Sequence, residues 1–209
     1  MLTFVCNIEG LTGSPHELKR RAEEMIDVSN DNGFPLLSGI GMSHYGWSLT
    51  ALGQAHDGHA LLMKGLSVVR STGAVIGTPS TLVAVAETYA QLGRPVEGMN
   101  CLADAAQLIE TTDERVGEAR FHRSRGDLLN ATGDRAAADQ SYHQALAVAE
   151  RQGTKLFELL AATSLARLWL DQGRPTKARD LLAPIYGWFT EGFDTPVLKD
   201  AKALLDQLT

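Results

Sequence analysis

Five glycines, Gly13, Gly53, Gly93, Gly133 and Gly173, stand 40 residues apart without a slip. A fixed period of this size marks a chain built by stacking copies of one supersecondary unit. The glycine contexts are LTGSPHEL, ALGQAHDG, QLGRPVEG, ATGDRAAA and DQGRPTKA. Five positions after each glycine come Leu18, Gly58, Gly98, Ala138 and Ala178, and seven before the later four come Gly46, Ala86, Gly126 and Ala166. Pro15, Pro95 and Pro175 also share one register.

Two antiparallel helices per repeat account for this pattern. Glycine suits the left-handed residue that ends a first helix, because it has no Cβ to clash. Proline two residues later suits the first turn of the next helix, where its missing N–H is not needed. Small residues mark where the paired helices cross closely. The spacing predicts first helices near 36–52, 78–92, 114–132 and 155–172, and second helices near 15–29, 54–71, 95–110, 134–151 and 175–189. Leu156, Leu160, Ala161, Leu165, Leu168 and Trp169 form one apolar stripe at helical spacing, and Tyr142, Leu146 and Ala149 another. No segment shows sustained strand alternation. The expected fold is all-α: an α-solenoid forming a single domain over 1–209, with a partial repeat 1–33 and repeats 34–73, 74–113, 114–153 and 154–190.

The sequence ends differently. Pro184 falls inside the last second helix and is expected to kink or end it. Gly187 and Gly192 then allow a turn, and Tyr186, Trp188, Phe189 and Phe193 are available to cover the final repeat. Thr195 and Pro196 are placed to cap and start a further helix over 195–208. Its apolar stripe is Val197, Leu198, Ala201, Leu204, Leu205 and Leu208. This is expected to be a C-terminal capping helix, with Glu191 and Asp194 serving its turns.

These residues resemble the tetratricopeptide repeat (TPR). Its order of small residue, aromatic or Leu, Gly, small residue, aromatic or Leu and Ala is met by Ala86, Tyr89, Gly93, Gly98, Leu102 and Ala105. Gly126, Leu129, Gly133, Ala138, Tyr142 and Ala145 repeat it. The last repeat departs at one place, with Ala166, Trp169, Gly173, Ala178, Leu182 and Ile185, and Gly46, Leu49, Gly53, Gly58, Leu62 and Gly65 match it less well. The 40-residue period is longer than the usual 34 of the family. It is similar to the long-helix variant of large bacterial signalling ATPases and transcription activators. The segment SLARLWLDQGRPTKARDLLAPIYGWFTEGFDTPVLKDAKALL resembles the C-terminal region of bacterial proteins that join a class III nucleotide cyclase, an ATPase and a TPR array. The resemblance implies a right-handed α-α solenoid whose first helices line a concave groove, with catalysis left to other domains.

Composition agrees with binding rather than chemistry. The chain is 44% hydrophobic and 21% charged, with a formal net charge of −6 and basic residues scattered among acids, so nucleic acid is not an expected partner. No GxxxxGK[ST] is present, and GLTGSPHE lacks its lysine and a preceding strand. Cys6 and Cys101 fit no metal or redox spacing, and Cys101 reads as a small core residue. His56, Asp57 and His59 sit together, but the cluster reads as a solvated helix start with Asp57 complementing the dipole. No cofactor or metal is expected, and no enzyme activity. No apolar run approaches the ~20 residues of a membrane span, and no signal peptide is legible, so a cytoplasmic protein is expected.

The register implied by the resemblance puts Trp47, Glu87, Asp127 and Arg167 along the groove. Arg120, Arg123, Asp127 and Asn130 fall on one helix face at i, i+3, i+7 and i+10. Arg120, Arg123 and Arg167 are suited to hold a carboxylate or acidic peptide, with Trp47 as aromatic anchor. Alternatively Arg123–Asp127 and Arg167–Asp171 are i,i+4 pairs that satisfy each other, worth about 0.3–0.5 kcal/mol each. The Lys/Asn clamp of some TPR domains is unmatched, since Ser43, Val83, Arg123 and Thr163 occupy that rung. The expected function is recognition of a protein or peptide segment along the groove. A small-ligand sensor and an assembly fragment that dimerises through residues 1–30 are the alternatives.

Overall fold

The computed structural model of the chain describes Cys6 and residues 14–208. Among these residues there are ten helices and no strand. They are α1 (Pro15–Asp31), α2 (Pro35–Ala51), α3 (Ala55–Ser71), α4 (Thr78–Gln91) and α5 (Pro95–Thr112), then α6 (Glu118–Ala131), α7 (Arg135–Gln152), α8 (Lys155–Asp171), α9 (Pro175–Tyr186) and α10 (Pro196–Gln207). The chain divides into two compact units, Met1–Arg115 and Val116–Thr209.

Proline begins α1, α2, α5, α9 and α10, where it lacks only an N–H that would be orphaned anyway. The start of α7 has no proline and is held instead by Asp134, whose side chain accepts from the Ala137 N–H at 3.0 Å. Helix ends follow a stricter rule. Positive φ recurs every 20 residues, at Gly33 (68°), Gly53 (79°), Gly73 (77°), Gly93 (70°), Asp113 (55°), Gly133 (89°), Gly153 (65°) and Gly173 (73°). The 40-residue series describes the ends of first helices, and a second series, offset by 20, ends the second helices. Gly13, the first member of the spaced set, lies outside the described residues, as do residues 1–5 and 7–12 of the segment 1–30 expected to self-associate.

In the first unit, α2 and α3 touch through glycine. A Cβ on Gly65 would lie 2.6 Å from the Gly39 carbonyl oxygen, and one on Gly46 would lie 2.7 Å from that of Gly58. The small-residue positions are therefore places where backbones meet. Thr50 and Thr88, both buried, join α2 to α4 through a 3.0 Å hydroxyl–hydroxyl bond. The loop into α4 is tied down by Glu114, whose carboxylate accepts the Gly77 N–H at 3.0 and 3.2 Å. Residues 113–117 thus form a loop, and the helix expected from 114 begins at Glu118.

In the second unit, α8 is the buried centre. Its buried residues are Leu159, Ala161, Ala162, Thr163, Leu165, Ala166, Leu168 and Trp169. Leu156 and Leu160, expected in its stripe, are only half-buried. A helix packed against several others buries more than one face, so a single-stripe pattern is too narrow for it. Leu198, Ala201, Leu204 and Leu208 of α10 join the same core as Leu165 and Leu182, which makes α10 the capping helix.

Details of the ending differ from expectation. Helix α9 continues two residues past Pro184 to Tyr186. Gly187 keeps a helical φ of −65°, and the turn is made at Gly192, φ 75°. Tyr186 and Phe189 pack on the core, whereas Trp188 and Phe193 are 59% and 47% exposed. Thr195 stands at the N-cap of α10, as expected, but its side chain makes no cap bond: its hydroxyl donates to the Gly192 carbonyl at 2.7 Å.

Candidate functional site

The polar residues on the first helices of the second unit are built on a buried tyrosine. Tyr142 of α7, 2% exposed, donates its hydroxyl to Asp127 Oδ1 on α6 at 2.8 Å. Arg123 Nη1 donates to the other carboxylate oxygen, Oδ2, at 3.0 Å. Gly126 makes room for the ring, since a Cβ there would lie 2.4 Å from Tyr142 Cε1. Burial first, and the Asp127 charge second, push the Tyr142 hydroxyl's pKa upward, so it remains a neutral donor. The Asp127 carboxylate is thereby aimed by two donors. Its side chain and that of Arg123 keep 38% and 22% exposure, enough to be reached from outside.

The other members of the predicted row are placed differently. Arg120 is buried, which removes it from the surface a carboxylate ligand would touch. Asn130 is half-buried, and its carbonyl accepts the Gly133 N–H at the helix end. Arg167 of α8 is exposed, but it does not pair with Asp171 one turn on. Its guanidinium forms an ion pair with Asp200 of α10. Of the two expected i,i+4 pairs, then, Arg123–Asp127 forms and Arg167–Asp171 does not.

In the first unit, Trp47 is half-buried and packs against both Leu18 and Met25 on one side and Leu62 and Val85 on the other. The indole thus packs against residues of α1, α3 and α4 and stays half-buried. Glu87 is half-buried on α4. On the rung of the absent carboxylate clamp, Ser43, Val83 and Thr163 are buried, and the Ser43 and Thr163 hydroxyls donate to the carbonyls of Gly39 and Leu159. Only Arg123 on that rung meets the surface.

The remaining constellations are structural. Among the described residues no three His, Cys, Asp or Glu side chains are grouped to hold a metal. His59 packs on the Tyr89 ring with centroids 4.7 Å apart, and Arg94 lies 4.9 Å from that ring's centre. Cys101 packs against the Leu62 and Val85 cluster, and burial pushes its thiol pKa up, away from nucleophilic use. Sequence reasoning missed Tyr142 and Asp200 as partners of Asp127 and Arg167. The sequence shows Tyr142 only as a repeat aromatic in an apolar stripe. Also missed was Asp139, which accepts the Trp169 indole N–H at 2.6 Å, while Lys177 Nζ sits 3.7 Å from the centre of the same ring.

No family model matches the chain. An uncharacterised protein of Rhizobium meliloti (strain 1021) is 28% identical over 151 residues, which is 72% of this chain and 15% of that protein. The chain thus spans a small part of that relative's length. Among solved structures, two crystal structures of Podospora anserina putative kinesin light chain nearly identical TPR-like repeats, one of them a point variant, are similar. The variant has a TM-score of 0.58 at 15% identity, covering 89% of this chain and 92% of that one. The other has a TM-score of 0.55 at 14% identity, covering 99% and 94%. At these identities the likeness is one of fold: the protein is an all-α TPR-like repeat solenoid.

Proposed function

We propose that the face shared by the first helices α6 and α8 of the second unit binds a peptide or protein segment, without chemistry, as a regulatory interaction module. A TPR-like fold is commonly a protein-interaction module, and the observation that carries the reading here is the buttressed Arg123–Asp127 pair. Tyr142 holds Asp127 from beneath, so two opposite charges stand partly exposed in a fixed arrangement. Fixed polar groups lose little freedom when a partner docks, which leaves more of the contact energy for binding. In the repeat register Asn130 and Arg167 share the first-helix face of the second unit with this pair, and Trp47 and Glu87 hold the corresponding positions on the first helices of the first unit. Arg123 supplies charge-assisted donors to an acidic group of the partner, whereas Arg167 stays paired with Asp200.

The wider setting is part of the proposal. The resemblance of the closing segment supports the TPR portion of a cyclase/ATPase-type signalling protein as the origin of the chain. The test is a quantitative pull-down from host lysate with the wild-type chain and an Arg123→Ala/Arg167→Ala variant of equal melting temperature. A partner recovered by the wild type and depleted at least several-fold by the variant supports the reading. Equal recovery by both overturns the groove assignment.

A further inference from the structure

Between α8 and α10 lies a recess of ≈ 220 Å³. Its apolar lining comes from Leu170 and Leu204, with Ala203 at its side. Its charged groups are Arg167, Asp171 and Asp200, and Gln207 adds an amide. Arg167 and Asp200 neutralise each other by direct ion pairing. That pairing takes from Asp171 the arginine that helical spacing would have given it. Asp171 is exposed and has no ion-pair partner among the described residues. The recess thus combines the apolar surface of Leu170 and Leu204 with polar groups that carry one uncompensated negative charge.

We infer that this recess is a specificity pocket for a lysine or arginine side chain of the bound segment. The aliphatic stem of such a side chain covers Leu170, Leu204 and Ala203, and its cationic head meets the Asp171 carboxylate. Gln207 offers a carbonyl acceptor to the same head. An acidic side chain would meet an arginine already paired and a free carboxylate of its own sign. The size of the cavity points the same way, being below the about 300–1,000 Å³ of small-molecule sites. It holds one side chain rather than a free metabolite. Each lining residue comes from α8 or α10, so the capping helix supplies half of a binding pocket as well as covering the core.

This inference rests on the peptide-binding reading above, and the experiment separates the two. Pools of N-acetylated nonapeptides, randomised except for a fixed central Lys, Arg, Glu or norleucine, are titrated against the full chain. Asp171→Asn and Ala203→Leu variants are titrated beside it, the first removing the charge and the second filling the recess from an exposed position. Lys- and Arg-fixed pools are expected to bind about tenfold more tightly than Glu or norleucine pools. Both variants, with unchanged melting temperatures, are expected to lose that preference. Pools that bind with no basic preference, or a preference that survives both variants, overturn the pocket while leaving the groove in place. Failure of every pool to bind overturns both.

Discussion

Gly46 of α2 and Gly58 of α3 face each other so closely that a Cβ on either would lie 2.7 Å from the other's carbonyl oxygen. Backbone cannot yield as a side chain would, so the crossing admits only glycine. Alanine at Gly58 would also meet the Thr50 hydroxyl at 2.4 Å. The Gly58→Ala variant gains about 1 kcal/mol in helix propensity and is nonetheless expected to lose about 2 kcal/mol overall, because overpacking outweighs propensity. Urea denaturation measures it; a variant as stable as the wild type would show that the helices separate without cost.

The Tyr142–Asp127 bond is expected to be asymmetric in its energetics. Tyr142→Phe leaves a half-exposed carboxylate that water can reach, and should cost about 1 kcal/mol. Asp127→Ala leaves the buried Tyr142 hydroxyl without its acceptor, and should cost about 2–3 kcal/mol. Equal losses in chemical denaturation would mean that water reaches both groups alike.

Two histidines set an acid limit on stability. The pKa of His59 is lowered by burial first and by Arg94 second, and that of His122 by burial against a raising contribution from Glu118. Below the ordinary histidine value of about 6.5, the unfolded chain takes up protons on these rings that the folded chain refuses. Stability is therefore expected to fall as pH drops from 7 toward 5.5 and to recover as pH rises. Thermal melts across that range check the sign, and His122→Gln should flatten the slope. A wild-type melting temperature that rises on acidification would contradict it.

The capping helix should be indispensable. Ending the chain at Asp194 strips Leu198, Ala201, Leu204 and Leu208 from the core that also holds Leu165 and Leu182. Each lost leucine is worth about 2 kcal/mol of burial, which exceeds what a small helical unit spares. The truncated protein is expected to aggregate or unfold in light scattering and circular dichroism; a soluble, equally stable truncation would remove α10 from the folding unit.

The repeat architecture was legible because its causes are local. Left-handed residues and close crossings select glycine at fixed intervals, and the interval itself is visible in the sequence. The second series at Gly33, Gly73 and Gly153 was equally visible, but Asp113 interrupts it. Aspartate tolerates a left-handed φ better than most residues, so the geometry continues where the glycines stop. Long-range polar pairing was not legible. Arg167 has carboxylates at Asp171 and Asp200 within reach, and the choice between them depends on how α10 packs. The burial of Arg120 and the wedge of Trp47 between helices likewise follow from packing, which helical spacing alone does not specify.

The central claim is that partners meet the first-helix face. Hydrogen exchange of the full chain, free and bound to a partner recovered by pull-down, tests it most directly. The account predicts added protection concentrated in residues 120–130 of α6 and 163–171 of α8, with α7 unchanged. Protection confined to α7 and α9, with α6 and α8 unaffected, would contradict it.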